Sequence, residues 1–465
     1  MTQINSNIIL VLGGLNLLIC TLLDVSPIIF LISIIFWILL ILIFISVETS
    51  LLALIFIRPS IDIIGYLSVP DWPAINLGSS VAMITIILSL IYLYQKRQIV
   101  YKTQIPFIKI LILLLGVYVG LSFTGAAISA GVQESIRVLS FIILYFVGWV
   151  YVVNLAKFLD LVKLIIYSSI IPLIVAYIEY FSGSGLYTNP GFENRIAATF
   201  GHPNVLAYFS VIILALISSI WLNQNNRINQ LEKEIFAIIG ILYLIVLLIT
   251  FTRGAWFGLM LFLFLMSLAQ YPLKTIKISS IITGLGLTLI LTYNFLASPN
   301  ILDLKPLDQF PVINRIAGLF NSDPSDSVIW RLNMWNDAYN KALEKPIIGF
   351  GTGSSEIIME QTRGTFRGSL EVHNDYIKIF LEQGIIGFII YVILILTILA
   401  TLYYKYIKNR DIYILTIATL MTIIYIVSLW DNLLRGTVLM WIVFLLLGGA
   451  LHYNYLKQRS IESKV

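Results

Sequence analysis

His373 stands in the run His373-Asn374-Asp375-Tyr376, where a long polar stretch gives way to an apolar one. Imidazole titrates near neutrality and accepts a proton from a hydroxyl nucleophile, so this is the side chain best suited to general-base chemistry. The chain has only three histidines. His202 closes the segment Asn194-Arg195-Ile196-Ala197-Ala198-Thr199-Phe200-Gly201-His202 and is followed by Pro203-Asn204. Proline suits the first turn of a helix, whose amides and dipole would face an anion beside Arg195. The same residues also read as a loop arginine and a plain cap. His452 ends the last apolar run on the opposite side and is given no chemistry.

Arginine is the other reactive type. Arg253 lies in Phe251-Thr252-Arg253-Gly254-Ala255-Trp256, between two apolar runs so close that their connection can hardly leave a membrane interface. A cation there is costly unless it meets an anion, a carboxylate or carbonyls. It is either a phosphate holder or an anchor that snorkels beside Trp256. Arg331 follows Trp330 and offers paired donors to phosphate oxygens, although Arg315, Arg363 and Arg367 share its polar stretch and a solvated helix face accounts for it too. The turn Gly349-Phe350-Gly351-Thr352-Gly353-Ser354 lacks the lysine and spacing of a nucleotide-binding loop and is read as structural. No His/Glu/Asp cluster has metal-ligand spacing, and the single Cys20 allows no disulfide framework, so no metal and no cofactor are expected.

The elements that must hold these groups are membrane helices. Of the 465 residues, 59% are hydrophobic and only 11% charged, which no soluble domain of this size approaches. Runs long enough to cross a bilayer fall near 8–23, 28–57, 77–94, 105–123, 135–153, 161–181, 203–221, 234–251, 254–270, 276–296, 376–402, 412–430 and 436–452. The run 28–57 is interrupted at Glu48-Thr49-Ser50, so the expectation is an all-α polytopic protein of about 12–14 transmembrane helices. The runs are apolar on every face, which excludes a β-barrel. No cleavage signature follows the first run, so that helix is expected to stay. The net charge of +5 reflects short basic loops rather than a nucleic-acid stripe.

Those basic loops fall in alternate connections, which places Arg195, His202, Arg253, Arg331 and His373 together on the extracytoplasmic face. The chain divides into helices over 1–190, helices over 191–296 carrying the Arg195/His202 and Arg253 segments, a large outer loop over 297–375, and C-terminal helices over 376–465. Within the loop, Ser327 to Leu343 puts Trp330, Met334, Ala338 and Ala342 at four-residue spacing and predicts an amphipathic helix, one that could lie on the membrane surface.

Taken together, Ala198 to Asn204, Thr252 to Trp256, Arg331 with Trp335 and Gly349-Phe350-Gly351, and His373 to Tyr376 through Glu382-Gln383-Gly384 resemble the O-antigen ligase and Wzy-type polysaccharide polymerase superfamily. The resemblance covers about residues 195–390. It implies a fold related to the lipid-using, GT-C-like glycosyltransferases of the bacterial cytoplasmic membrane. It also implies a glycan donor on a polyprenyl diphosphate and a hydroxyl acceptor on a glycan, a lipid A core or a protein, with inversion at the anomeric carbon. By the same resemblance Arg253 and Arg331, with Arg195 as an extension, hold the diphosphate, His373 activates the acceptor, and His202, Asn374 and Glu382 support the site. The rival reading is a transporter or flippase for an anionic or lipid-linked solute, for which Glu48, Glu179 and Glu382 would be the membrane carboxylates.

Overall fold

A computed structural model describes residues 46–63, 77–125, 128–184, 195–223, 228–271, 327–363 and 370–462. Among them there is no β-strand, and fifteen α-helices follow one another. The first seven are α1 (Val47–Ile57), α2 (Leu77–Gln95), α3 (Arg97–Lys102), α4 (Ile108–Ser122), α5 (Ile128–Tyr151), α6 (Leu155–Ser168) and α7 (Ile170–Ser182). Then come α8 (Pro203–Leu222), α9 (Gln230–Ile249), α10 (Arg253–Gln270), α11 (Ser327–Ala342) and α12 (Ser355–Arg363). The last three are α13 (Asp375–Asn409), α14 (Ile412–Val427) and α15 (Thr437–Glu462).

Seven helical segments among the described residues are long and apolar enough to cross a membrane: α2, α5, α6 with α7, α8, α10, α13 and α15. The protein is thus an all-α polytopic membrane protein. Helices were legible because lipid offers a backbone no hydrogen bonds, so each crossing must be an unbroken helix of apolar residues. The runs at 8–23 and 276–296 lie outside the described residues, and of 28–57 only the end is described, as α1, capped by Ser46 Oγ accepting from the Thr49 amide at 3.4 Å. Several boundaries differ from expectation: the run 135–153 starts at Ile128 and the run 376–402 continues to Asn409. The run near 161–181 starts earlier, at Leu155, and turns at Ser169 between α6 and α7. The run 412–430 ends as helix at Val427, leaving 428–436 to form a turn. The last helix continues past 452 to Glu462.

Lipid is as apolar as leucine, so helices associate by close fit rather than by hydrophobic drive. The tightest fit joins α5 to α15. A Cβ on Gly148 would stand 2.0 Å from the Leu445 carbonyl oxygen, and one on Gly448 2.0 Å from the Tyr145 carbonyl oxygen. The two backbones touch through these bare positions. Around the contact, Trp441 Nε1 donates to Ser140 Oγ at 2.7 Å, and the Trp149 ring stacks on His452 with centroids 4.7 Å apart. His452 is therefore a buried packing residue.

The amphipathic helix forms as α11, with its apolar stripe packed inward on the protein. Its Met334, Ala338 and Ala342 are buried against Ile358, Met359, Val372 and Leu381, making a small second core over the head of α13. Packing on α12 and α13 buries those side chains within the protein. Below this core α13 is kinked, because Gly384 adopts φ 61° and ψ −163°, outside helical geometry. The turn after α11 satisfies the freed groups: the Phe350 and Gly351 amides donate to the Leu381 and Glu382 carbonyls at 2.9 and 2.8 Å, and the Ile385 amide donates to Pro346 O at 2.8 Å.

Replacing Gly148 or Gly448 with leucine should force α5 and α15 apart at a cost of roughly 3 kcal/mol or more. In detergent, each variant should melt well below the parent or fail to purify as a single species, whereas Gly116→Ala, where a Cβ meets open space, should behave as the parent.

Candidate active site

The N-terminal ends of α8, α13 and α15 and the 428–436 turn meet around a cavity of about 190 Å³ lined by His202, Asn204, Tyr208, Glu371, His373, Asp431 and Arg435, among others. His373 reaches it from an unusual backbone. Its φ is +51°, a left-handed conformation costing a non-glycine residue about 1–2 kcal/mol. Ties on both sides hold it there. Trp335 Nε1, from α11, donates to the Val372 carbonyl at 2.9 Å. On the other side Asn374 caps α13: its Oδ1 accepts from the Tyr376 and Ile377 amides at 3.0 Å, and its Nδ2 donates to Leu429 O at 2.7 Å. Glu371, two residues before the histidine, pairs with Arg435 at 2.5 Å and accepts from Asn432 Nδ2 at 3.2 Å; Arg435 also pairs with Glu356 of α12.

So held, the His373 ring turns its Nδ1 toward Asp431 Oδ1 at 3.5 Å, the long end of hydrogen-bonding distance, and meets the edge of Trp330 at 5.6 Å between centroids. Asp431 has further partners, since Asn204 Nδ2 donates to its Oδ2 at 2.8 Å and the Asn432 amide to its Oδ1 at 3.0 Å. Burial alone would push this carboxyl up. The hydrogen bond from His373, the positive charge that ring carries when protonated, and the Arg331 cation outweigh burial and hold it below the usual carboxylate range. Asp431 is an anion, and it draws imidazole Nδ1–H toward itself, which leaves Nε2 with its lone pair free to take a proton.

His202 plays a different part. Its Nδ1 accepts from the Asn204 amide at 3.1 Å as the cap of α8, and burial, against the pull of Asp431, lowers its pKa to about 4. The ring is neutral, so its Nε2 carries the proton and offers a donor rather than a base. Asn204 is set by Arg195, whose Nη2 donates to Asn204 Oδ1 at 3.0 Å and to Thr252 Oγ1 at 2.9 Å, while its Nε donates to Thr250 O at 2.9 Å. Arg195 thereby binds the start of α8 to the α9–α10 connection. Glu179 holds the same loop from α7, accepting from the Ala197 and Ala198 amides at 3.0 and 2.6 Å.

Of the residues singled out from sequence, His373 and His202 line one cavity. Arg331 stands within electrostatic reach of Asp431. Arg253 is the first residue of α10, next to the Thr252 that Arg195 grips, and is absent from the cavity lining. Asn374 anchors the backbone after His373. Glu382 lies further along α13, 2% exposed, where it accepts from the Gly353 and Ser355 amides at 3.0 and 3.2 Å and so fixes the glycine turn. Glu179 and Glu382 both serve as loop anchors, which gives two of the three membrane carboxylates of the transporter reading structural work. Among the described residues no three His, Cys, Asp or Glu side chains converge as a metal site.

Sequence reasoning missed Asp431. It lies 58 positions from His373, in a short connection with no local pattern to mark it. It also missed Glu371 and Arg435, whose pairing depends on how the turn folds back, and Tyr208, which is hidden inside an apolar run.

Comparison with known proteins bears on this region. Residues 238–392 match the O-Antigen ligase family model. A protein of Rickettsia conorii named as a candidate polysaccharide ligase is 35% identical over 91 residues, 18% of this chain and 20% of that protein. One of Rickettsia typhi with the same description is 33% identical over 93 residues, 18% of this chain and 21% of its own length. The chain thus aligns with about a fifth of the length of these curated relatives. The matched segment contains α10, α11, the glycine turn, His373 and the first half of α13. The segment similar to the O-Antigen ligase family, residues 238–392, thus contains Arg253, Arg331 and His373.

Proposed function

We propose that the protein is a polysaccharide ligase or polymerase of the bacterial cytoplasmic membrane, with its cavity on the extracytoplasmic side. It would transfer a glycan from a polyprenyl-diphosphate carrier to a hydroxyl on a glycan, a lipid A core or a protein. One observation carries the reading: His373, inside the segment similar to the O-Antigen ligase family, faces the Asp431 carboxylate in a cavity at one end of the helices. The relatives' printed description as polysaccharide ligases agrees with it.

In this reaction the acceptor oxygen attacks the anomeric carbon and the bond from that carbon to the diphosphate breaks. The acceptor's proton passes to His373 Nε2 while Asp431 stabilises the imidazolium that forms. The electron pair leaves on the diphosphate, where Arg253 and Arg331 meet the growing negative charge. Arg195 acts through Asn204, which it orients onto Asp431. His202, neutral and capping α8, lines the cavity without serving as a base. The apolar bundle accommodates the carrier's tail.

The test is transfer by purified protein from a defined polyprenyl-diphosphate glycan to each candidate acceptor. His373→Ala should abolish product, and any retained full activity would remove the base from this residue. Asp431→Asn should lower kcat on the order of 10²-fold, within the usual contribution of a positioned proton acceptor; an unchanged kcat would sink its part. Arg253→Lys keeps the charge but not the paired donors and should lose most activity.

A further inference from the structure

Tyr208 occupies α8 less than two turns beyond His202, and it lines the same cavity. The side chain is 4% exposed, and its hydroxyl is buried with no described group closing a well-formed hydrogen bond to it. The phenol lies beside Asp431 and Trp430, yet neither meets it in good geometry. Asp431 already receives Asn204, Asn432 and His373. The backbone leaves room for the hydroxyl: a Cβ on Gly254, the second residue of α10, would stand 2.6 Å from Tyr208 Oη and 2.8 Å from Trp430 Nε1.

A second buried donor is orphaned in the same neighbourhood. Arg331 Nε, from α11, is fully covered and has no hydrogen-bond partner among the described residues, and the Arg331 charge acts on both Tyr208 and Asp431. Buried donors without acceptors are costly, and a protein keeps them where a ligand completes them. A phenol hydroxyl and a guanidinium nitrogen share one preference, an anionic oxygen. A neutral sugar hydroxyl would satisfy the phenol but leave the cation uncompensated.

We propose that Tyr208 is a substrate-binding residue whose hydroxyl donates to an anionic oxygen of a lipid-linked diphosphate, the same group that Arg331 approaches from α11. The proposal rests on the reaction proposed above and adds a contact that no other observation assigns. It makes Tyr208 a residue for holding donor substrate rather than for moving the proton.

Tyr208→Phe removes the hydroxyl and nothing else, and its two expected effects point in opposite directions. Losing an unpaired buried hydroxyl leaves the melting temperature unchanged or raises it, whereas losing a hydrogen bond to an anion weakens ligand binding by roughly 10- to 100-fold. Purified wild-type and variant would be titrated with farnesyl diphosphate, farnesyl monophosphate and inorganic pyrophosphate. In the transfer assay KM for the donor should rise by a similar factor, with kcat changed much less. The inference stands if farnesyl diphosphate affinity falls in the variant while its melting temperature holds. It is overturned by wild-type affinity and KM in the variant, or by a lowered melting temperature, which would make the hydroxyl a structural partner of Asp431. A wild-type protein that transfers glycan while Tyr208→Phe binds normally sinks only this contact. A wild-type protein that neither transfers nor binds sinks the proposed function as well.

Discussion

The carboxylate of Asp431 is the point on which this end of the molecule turns. Through it the start of α8, the 428–436 turn and the segment before α13 are joined, because Asn204, Asn432 and His373 all converge on its two oxygens. A buried carboxylate is expensive unless several donors meet it. Here the donors come from elements far apart in sequence, so the charge dictates how three loops sit against one another. Asp375 repeats the device one layer below, accepting from Ser428 Oγ at 2.8 Å and the Leu434 amide at 3.1 Å, while its own amide donates to Ser428 O at 2.9 Å. The turn between α14 and α15 is thereby fastened to the head of α13 by two carboxyl groups.

That arrangement explains the division of labour between the two histidines. Both lie in the cavity, but one uses its Nδ1 as an acceptor to cap a helix and the other faces a carboxylate. The first is held neutral, and the second is poised beside a negative charge. Sequence alone makes them the same residue type on the same face; partners on the backbone and the turn make them chemically distinct.

What was legible in the chain follows from the same physics. Membrane crossings could be read because lipid demands long apolar helices, and α8, α10 and α13 begin where His202-Pro203, Thr252-Arg253 and Asn374-Asp375 mark their starts. The four-residue spacing of Trp330, Met334, Ala338 and Ala342 gave α11 and its buried face, though not what covers it. Asp431 and Tyr208 were illegible for opposite reasons. The first is one acidic residue in a short turn with no local pattern, and the second is an aromatic in an apolar run, where packing is the ordinary explanation. Only the convergence of distant segments separates either from its neighbours. Glu382 carried a signal, a charge early in a membrane helix, but that signal cannot distinguish a group that meets substrate from one that ties down a turn.

The break in α13 at Gly384 bears on how the chain is assembled. Two amides of the 346–351 turn reach carbonyls on one side of the break, and Pro346 receives an amide from the other, so the interrupted helix has its backbone satisfied only when that turn is in place. The turn precedes α13 in the chain and is therefore synthesised first. Biogenesis must carry the turn to its side of the bilayer before α13 settles into lipid, and insertion of this helix is thereby coupled to completion of the domain above it.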